Sequence, residues 1–265
     1  MTRRSRLALI GYGTLAREFE RVWGERLRES HELLGALIRH APAGDCCPKL
    51  YGSLDELLAD RPDFVLEFAG ASAVAEYGEK VLAAGCDLVV VSVGALADDA
   101  LRGRLAEAAK GAGSTLHVAS GAVGGFDVLR TVALGGCTHF SIDNVKAPEA
   151  LAGAPGLRDR ELSGCQRTEA FRGSAREAIL EFPKNVNVAV ASALAAGALD
   201  EAEVVITSDP GKVDNTHVIC AKSDLVSARV EVSSTPDAAN PRSSTVTAWS
   251  VAALLADLAS PIRYF

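Results

Sequence analysis

Short stretches with apolar residues at 7–10, 33–38, 64–68, 88–91 and 115–118 punctuate the first half of the chain and read as strands. The unbroken apolar core of the fourth, Leu88 to Val91, suggests burial on both faces of a sheet. Between them the spacing changes. Leu15, Phe19, Val22, Trp23 and Leu27 recur at helical intervals after the first run. Ser53-Leu-Asp-Glu56 has the form of a capping box opening a short helix. Ser72 is the expected cap of a third helix ending at Gly85, and Asp98-Asp99 suit the positive end of a fourth. Strand and helix in alternation predict a parallel sheet with helices on both faces.

After Gly121 the pattern is different. Helices are expected over 126–134, 174–181 and 188–196, and strands over 139–145, 204–207, 216–221 and 226–232. Closely spaced strands with short connections are expected to pair antiparallel, giving an α+β unit with one sheet face partly open. The last segment, 245–258, reads as an apolar helix that folds back onto the first unit. The expected organisation is therefore 1–120, with the helix of 245–265 returned to it, and 121–244.

Composition narrows the class. With 48% hydrophobic and 23% charged residues the chain is globular, and its net charge of −7 argues against nucleic acid or an anionic membrane as partner. The N-terminal apolar run is too short for a signal peptide, so the cytoplasm is expected. Cysteines at 46, 47, 86, 137, 165 and 220 contain no C-x-x-C pair. They read as reduced thiols, neither a disulfide framework nor a metal site, and no metal is expected.

Gly11-x-Gly13-x-x-Ala16 lies directly between the first strand and the first helix. That is the context the dinucleotide fingerprint requires. Gly11 permits the tight turn, Gly13 lets a pyrophosphate approach the backbone, and Ala16 takes the helix-packing position of the third glycine. Thr14 and Leu15 open the helix whose N-H groups would face phosphate. The first unit is thus expected to be a Rossmann-type doubly wound sheet binding NAD or NADP. An NAD site usually closes its second strand with an acid on the ribose. Here the strand ends Leu37-Ile38-Arg39-His40. Arg39 can serve a 2′-phosphate or be an ordinary surface arginine. The expectation is that NADP is accepted at least as well as NAD.

Among the five histidines, His31 and His40 flank a strand, His117 lies within one and His139 begins one. His217 follows Asp214, Asn215 and Thr216, polar groups that can orient a ring. Imidazole, with a pKa of about 6.5, exchanges protons near neutral pH.

Four stretches, "SVGALAD" (92–98), "SGAVGGFD" (120–127), "FPKNVNVA" (182–189) and "DNTHV" (214–218), resemble signatures of the L-aspartate dehydrogenases. "NPRSSTVTAWS" (240–250) resembles a fifth. The resemblance implies NAD(P)-dependent oxidative deamination of L-aspartate to iminoaspartate, with oxaloacetate and ammonia as partners of the reverse reaction. In many bacteria that product feeds NAD biosynthesis through quinolinate. It also implies His217 as the active-site residue and Ala122 and Asn187 on the cofactor. Ser92, at the carboxyl edge of the sheet, is a further cofactor candidate. Asn185 or Asn187 can alternatively cap the helix that follows. Lys184, Asn185, Arg242, Ser243, Ser244 and the 120s loop are candidate anchors for the two substrate carboxylates. The sequence departs from the family's Lys-Thr pattern at Arg242-Ser243, and "VKAPEAL" (145–151) only loosely matches a Lys-Pro-Pro pattern. Two rivals are a homoserine- or dihydrodipicolinate-type reductase and a dinucleotide-sensing protein without catalysis. A homodimer through the open sheet face is expected.

Overall fold

A computed structural model describes residues 3–39, 49–158, 160–183, 186–235 and 245–263. The chain divides into two compact units. One runs to Ala119 and takes in the chain from Thr247 onward; the other is Ser120–Val246.

The first unit contains β1 (Ser5–Ile10), α1 (Thr14–Arg26), β2 (His31–Leu37), β3 (Lys49–Tyr51), α2 (Leu54–Ala59), β4 (Phe64–Glu67), α3 (Ala71–Ala83), β5 (Asp87–Val90), α4 (Asp99–Ala112) and β6 (Leu116–Val118). Its six strands are all parallel in the order β3-β2-β1-β4-β5-β6, a Rossmann-like sheet. Leu7, Leu9, Leu66 and Val89 pack with Phe19 and Val22 of α1 in one apolar core. The burial of successive strand residues explains why the sequence shows runs and not alternation.

The second unit contains α5 (Phe126–Leu134), β7 (His139–Lys146), α6 (Pro148–Leu151), β8 (Thr168–Ser174), α7 (Ala175–Glu181), α8 (Asn187–Ala195), β9 (Glu203–Ser208), β10 (Asn215–Lys222) and β11 (Ser227–Ser234). Its sheet has the order β11-β10-β7-β9-β8 and is mixed, since β7 and β9 run parallel. α9 (Val246–Ala259) follows. Ala248, Val251, Ala252 and Leu255 of α9 belong to the first unit's core, and Trp249 Nε1 donates to Glu18 at 3.1 Å.

Several local expectations are corrected. Ser72 does not cap α3; it lies inside the helix, which begins at Ala71 behind Gly70 at φ +114. Asn187 is the first residue of α8 and not its cap, which is Val186. β9 and β10 are consecutive in the chain but not neighbours, because β7 lies between them. His31 is a buried strand residue. β3 and β8 are additional strands. The Ser53 hydroxyl accepts from Glu56 N, while the Glu56 carboxylate takes Gly52 N. The described cysteines are free. No described helix is long and apolar enough to cross a membrane. His40, Cys46, Cys47, Lys184, Asn185, Arg242, Ser243 and Ser244 lie outside the described residues.

Candidate active site

In the first unit the β1–α1 turn opens onto a cleft of about 630 Å³. Gly11, Gly13, Arg39, Ser53, Phe68 and Tyr77 are among its walls. Gly11 has φ +87, and a Cβ there would sit 2.8 Å from the Ala69 side chain. Only glycine fits this turn. Gly13 has an ordinary φ of −89 and open space where a Cβ would be. Gly13 leaves the cleft floor bare, and no side chain caps the helix behind it. Backbone N-H groups and the positive helix end therefore meet an open cavity, which fits a pyrophosphate. Ala16 is fully buried against the sheet, the packing role of the fingerprint's third position.

Arg39 stands two residues beyond β2, 62% exposed, and pairs with Glu76. Tyr77 and Glu76 both raise its pKa. Ser92, just past β5, is held by a residue not singled out in the sequence. Glu67 is fully buried at the end of β4. Its carboxylate accepts from Ala69 N at 2.8 Å, Gly70 N at 2.6 Å, Ser92 N at 2.9 Å and Ser92 Oγ at 3.0 Å. One acid thus ties together the loops that follow β4 and β5 at the carboxyl edge of the sheet, the edge at which ligands of open α/β sheets bind.

In the second unit the 120s loop lies on β11. Gly125, at φ +76, heads α5, and a Cβ there would come within 2.9 Å of Val230. Ala122 is buried in this loop, whereas Asn187 is exposed at the start of α8.

His217 is 3% exposed in β10. Strand pairing sets it opposite Asn144 of β7, and its Nδ1 lies 2.7 Å from Asn144 Oδ1. A carbonyl oxygen only accepts, so Nδ1 carries the proton and Nε2 presents its lone pair. No described residue hydrogen-bonds Nε2. Burial, with the charge of nearby Lys146 second, lowers the His217 pKa to about 3, so the ring is neutral at pH 7. Lys146 is itself 4% exposed, and burial lowers its pKa to about 8. Asn144 was not singled out in the sequence, and Lys146 stood there only as part of the loosely matched "VKAPEAL" stretch.

A parallel nucleotide sheet joined to a mixed-sheet unit bearing a neutral, oriented histidine is the plan of a two-domain nicotinamide-dependent dehydrogenase. The comparisons narrow this class. Residues 127–258 match the model of the aspartate dehydrogenase C-terminal domain, and residues 11–119 that of the homoserine dehydrogenase NAD-binding domain. L-aspartate dehydrogenase 1 of Bordetella pertussis is 38% identical over 251 residues, covering 93% of each chain. L-aspartate dehydrogenase of Methanocaldococcus jannaschii is 35% identical over 218 residues, covering 81% of this chain and 80% of its own. The crystal structure of aspartate dehydrogenase from Thermotoga maritima superposes with a TM-score of 0.81 over 99% of this chain and all of its own, at 23% identity. The chain belongs to the L-aspartate dehydrogenase family.

Proposed function

We propose that the protein oxidises L-aspartate at its α-carbon with NAD(P), giving iminoaspartate, and that reductive amination of oxaloacetate is the same path reversed. The observation that carries this reading is His217, buried, neutral and fixed by Asn144 with Nε2 open. Aspartate arrives as an ammonium, and its nitrogen must lose a proton before the lone pair can expel hydride from the α-carbon. Nε2 takes that proton and returns it in the reverse direction. The bound nicotinamide supplies the two-electron acceptor. Gly11, Gly13, Thr14 and Leu15 hold its pyrophosphate, and Ser92, Ala122 and Asn187 are its further contacts. Lys184, Asn185, Arg242 and Ser243 remain candidates for the substrate.

Arg39 receives a 2′-phosphate in this reading, so NADP is accepted at least as well as NAD. Its partner Glu76 is an exposed carboxylate, and a surface pair of this kind is exchanged at small cost. Arg39→Ala is expected to raise the NADP Michaelis constant about tenfold while sparing NAD. A strong NAD preference in the wild type, unaltered by that change, would count against the assignment.

The protein is read as a cytoplasmic homodimer whose product feeds NAD biosynthesis. Support for the dimer comes from the sheet face opposite His217, where Val145, Val205 and Val218 line a shallow cleft rimmed by Arg167, Arg172 and Glu231. Sedimentation tests it. The reaction itself is tested by initial rates with L-aspartate beside D-aspartate, L-glutamate and homoserine. Only L-aspartate is expected to reduce the cofactor. His217→Ala is expected to lower turnover by about two to four orders of magnitude with cofactor binding intact. Turnover on homoserine would favour the reductase, and cofactor binding without any turnover the sensor.

A further inference from the structure

Strand alternation sends Asn144 and Lys146 of β7 to the same side of the sheet as Phe140 and Ile142. Strand pairing adds Ser208, opposite Lys146 on β9, and Asn215 and His217 on β10, with Ser234 opposite Asn215 on β11. Helices α5, α7 and α8 cover this face. All six polar residues are buried, and they gather at one end of an otherwise apolar layer.

The cluster is short of partners. Asn144 Nδ2, Ser208 Oγ and Ser234 Oγ are buried with no hydrogen bond. Among the described residues no acid pairs with Lys146. The nearby acids are committed elsewhere: Asp143 lies on the opposite face, taking Arg167 and Thr207, and the Asp209 carboxylate takes Gly211 N. A buried ammonium without a counter-charge, beside three unmet polar atoms, is costly and is the arrangement a site for an anion requires.

We propose that Lys146, with the Ser208 hydroxyl and the Asn144 amide, receives a carboxylate of the dicarboxylic substrate. The assignment rests on the L-aspartate reading above and names the cation that reading needs within the His217 sheet. Asn144 then has two tasks: its oxygen fixes the imidazole and its amide donates to the substrate. A bound carboxylate also neutralises the charge that presses on His217, so the ring becomes a stronger base when substrate is present.

The test uses succinate, which is aspartate without its amine, titrated calorimetrically into NADH-saturated protein. Lys146→Met is expected to weaken succinate about 100-fold and to raise the L-aspartate Michaelis constant more than it lowers turnover, with NADH affinity unchanged. Ser208→Ala, which removes a hydroxyl that bonds to nothing, keeps the test open should the first variant fail to fold. It is expected to weaken succinate about three- to tenfold. Succinate bound equally by wild type and both variants overturns the anchor while sparing the reaction. Wild-type protein that binds succinate at Lys146 but does not oxidise aspartate overturns the reaction while sparing the anchor. Wild-type protein that binds no succinate overturns the anchor as well.

Discussion

His217 Nδ1 and Asn144 Oδ1 meet at 2.7 Å across the β10–β7 ladder, in a pair set directly opposite by strand register. The bond selects the tautomer that leaves Nε2 basic and prevents the ring from turning over. Losing Asn144 should therefore misorient the base without removing it. Asn144→Ala is expected to lower turnover about 10- to 100-fold, less than His217→Ala does, with little change in cofactor affinity. Single-turnover rates at saturating cofactor measure this. Turnover within twofold of wild type would remove Asn144 from the positioning role.

Burial of a neutral histidine links stability to pH. In the unfolded chain His217 titrates near the ordinary imidazole value of 6.5, and in the fold near 3. Between these values the unfolded state binds more protons, so the contribution is complete above pH 6.5 and is lost as pH falls toward 3. About 2 kcal/mol of it disappears between pH 7.5 and 5. Urea midpoints at those two pH values should fall further in wild type than in His217→Leu. Equal losses in both would show that the ring is not held neutral by the fold.

The parallel unit was legible because its central strands β1, β4 and β5 are buried at successive residues and several βα turns carry strong chemistry. The nucleotide loop is one case, and Asp98 capping α4 at Ala100 N and Leu101 N is another. β8 was not legible: Thr-Glu-Ala-Phe-Arg-Gly-Ser has two apolar residues and a bulge, and its pairing with β9 is what makes it a strand. The Lys146 cluster did leave a signal. Phe140, Ile142, Asn144 and Lys146 share one parity, as do Asn215, His217, Ile219 and Ala221, so the apolar face of each strand carries polar residues at one end. Period alone did not show that these ends lie side by side, because β9 and β10 follow each other in sequence with β7 inserted between them in space.

Gly11 and Gly13 should fail in different ways when substituted. At Gly11 both the positive φ and the 2.8 Å approach to Ala69 oppose a side chain, so Gly11→Ala is expected to cost about 1–3 kcal/mol of stability. Gly13 has room and permissive backbone. Gly13→Val should keep the wild-type melting temperature, while its side chain fills the space a pyrophosphate needs and NADH affinity falls at least about tenfold. Thermal melts beside NADH titrations separate the two. Full NADH affinity in Gly13→Val would place the pyrophosphate elsewhere.

Glu67 organises the Ala69-Gly70 turn and Ser92 through acceptor oxygens alone. Glutamine has nearly the same shape but turns a donor toward N-H groups that are already donors. Glu67→Gln is expected to cost about 1–3 kcal/mol and to weaken the cofactor as Ser92 shifts. Stability and NADH affinity equal to wild type would mean that the loops hold their geometry without this acid.

Lys146 makes the opposite demand on stability. In the fold its pKa is about 8, against the ordinary lysine value of 10.5, so below pH 8 the ammonium is charged in both states and the fold bears the cost of burying it. That cost is about 3 kcal/mol at pH 7 and fades as pH rises from 8 toward 10.5, where the folded lysine is already neutral. Methionine keeps the linear shape and carries no charge, and apolar replacements of buried charges are often stabilising. Lys146→Met should therefore unfold at a higher urea concentration than wild type at pH 7, with a smaller gain at pH 10, even as it loses the dicarboxylate. A protein that keeps an unpaired cation in its core against its own stability is holding it for an anion that arrives from outside. A variant less stable than wild type at pH 7 would show instead that the ammonium already has what it needs within the fold.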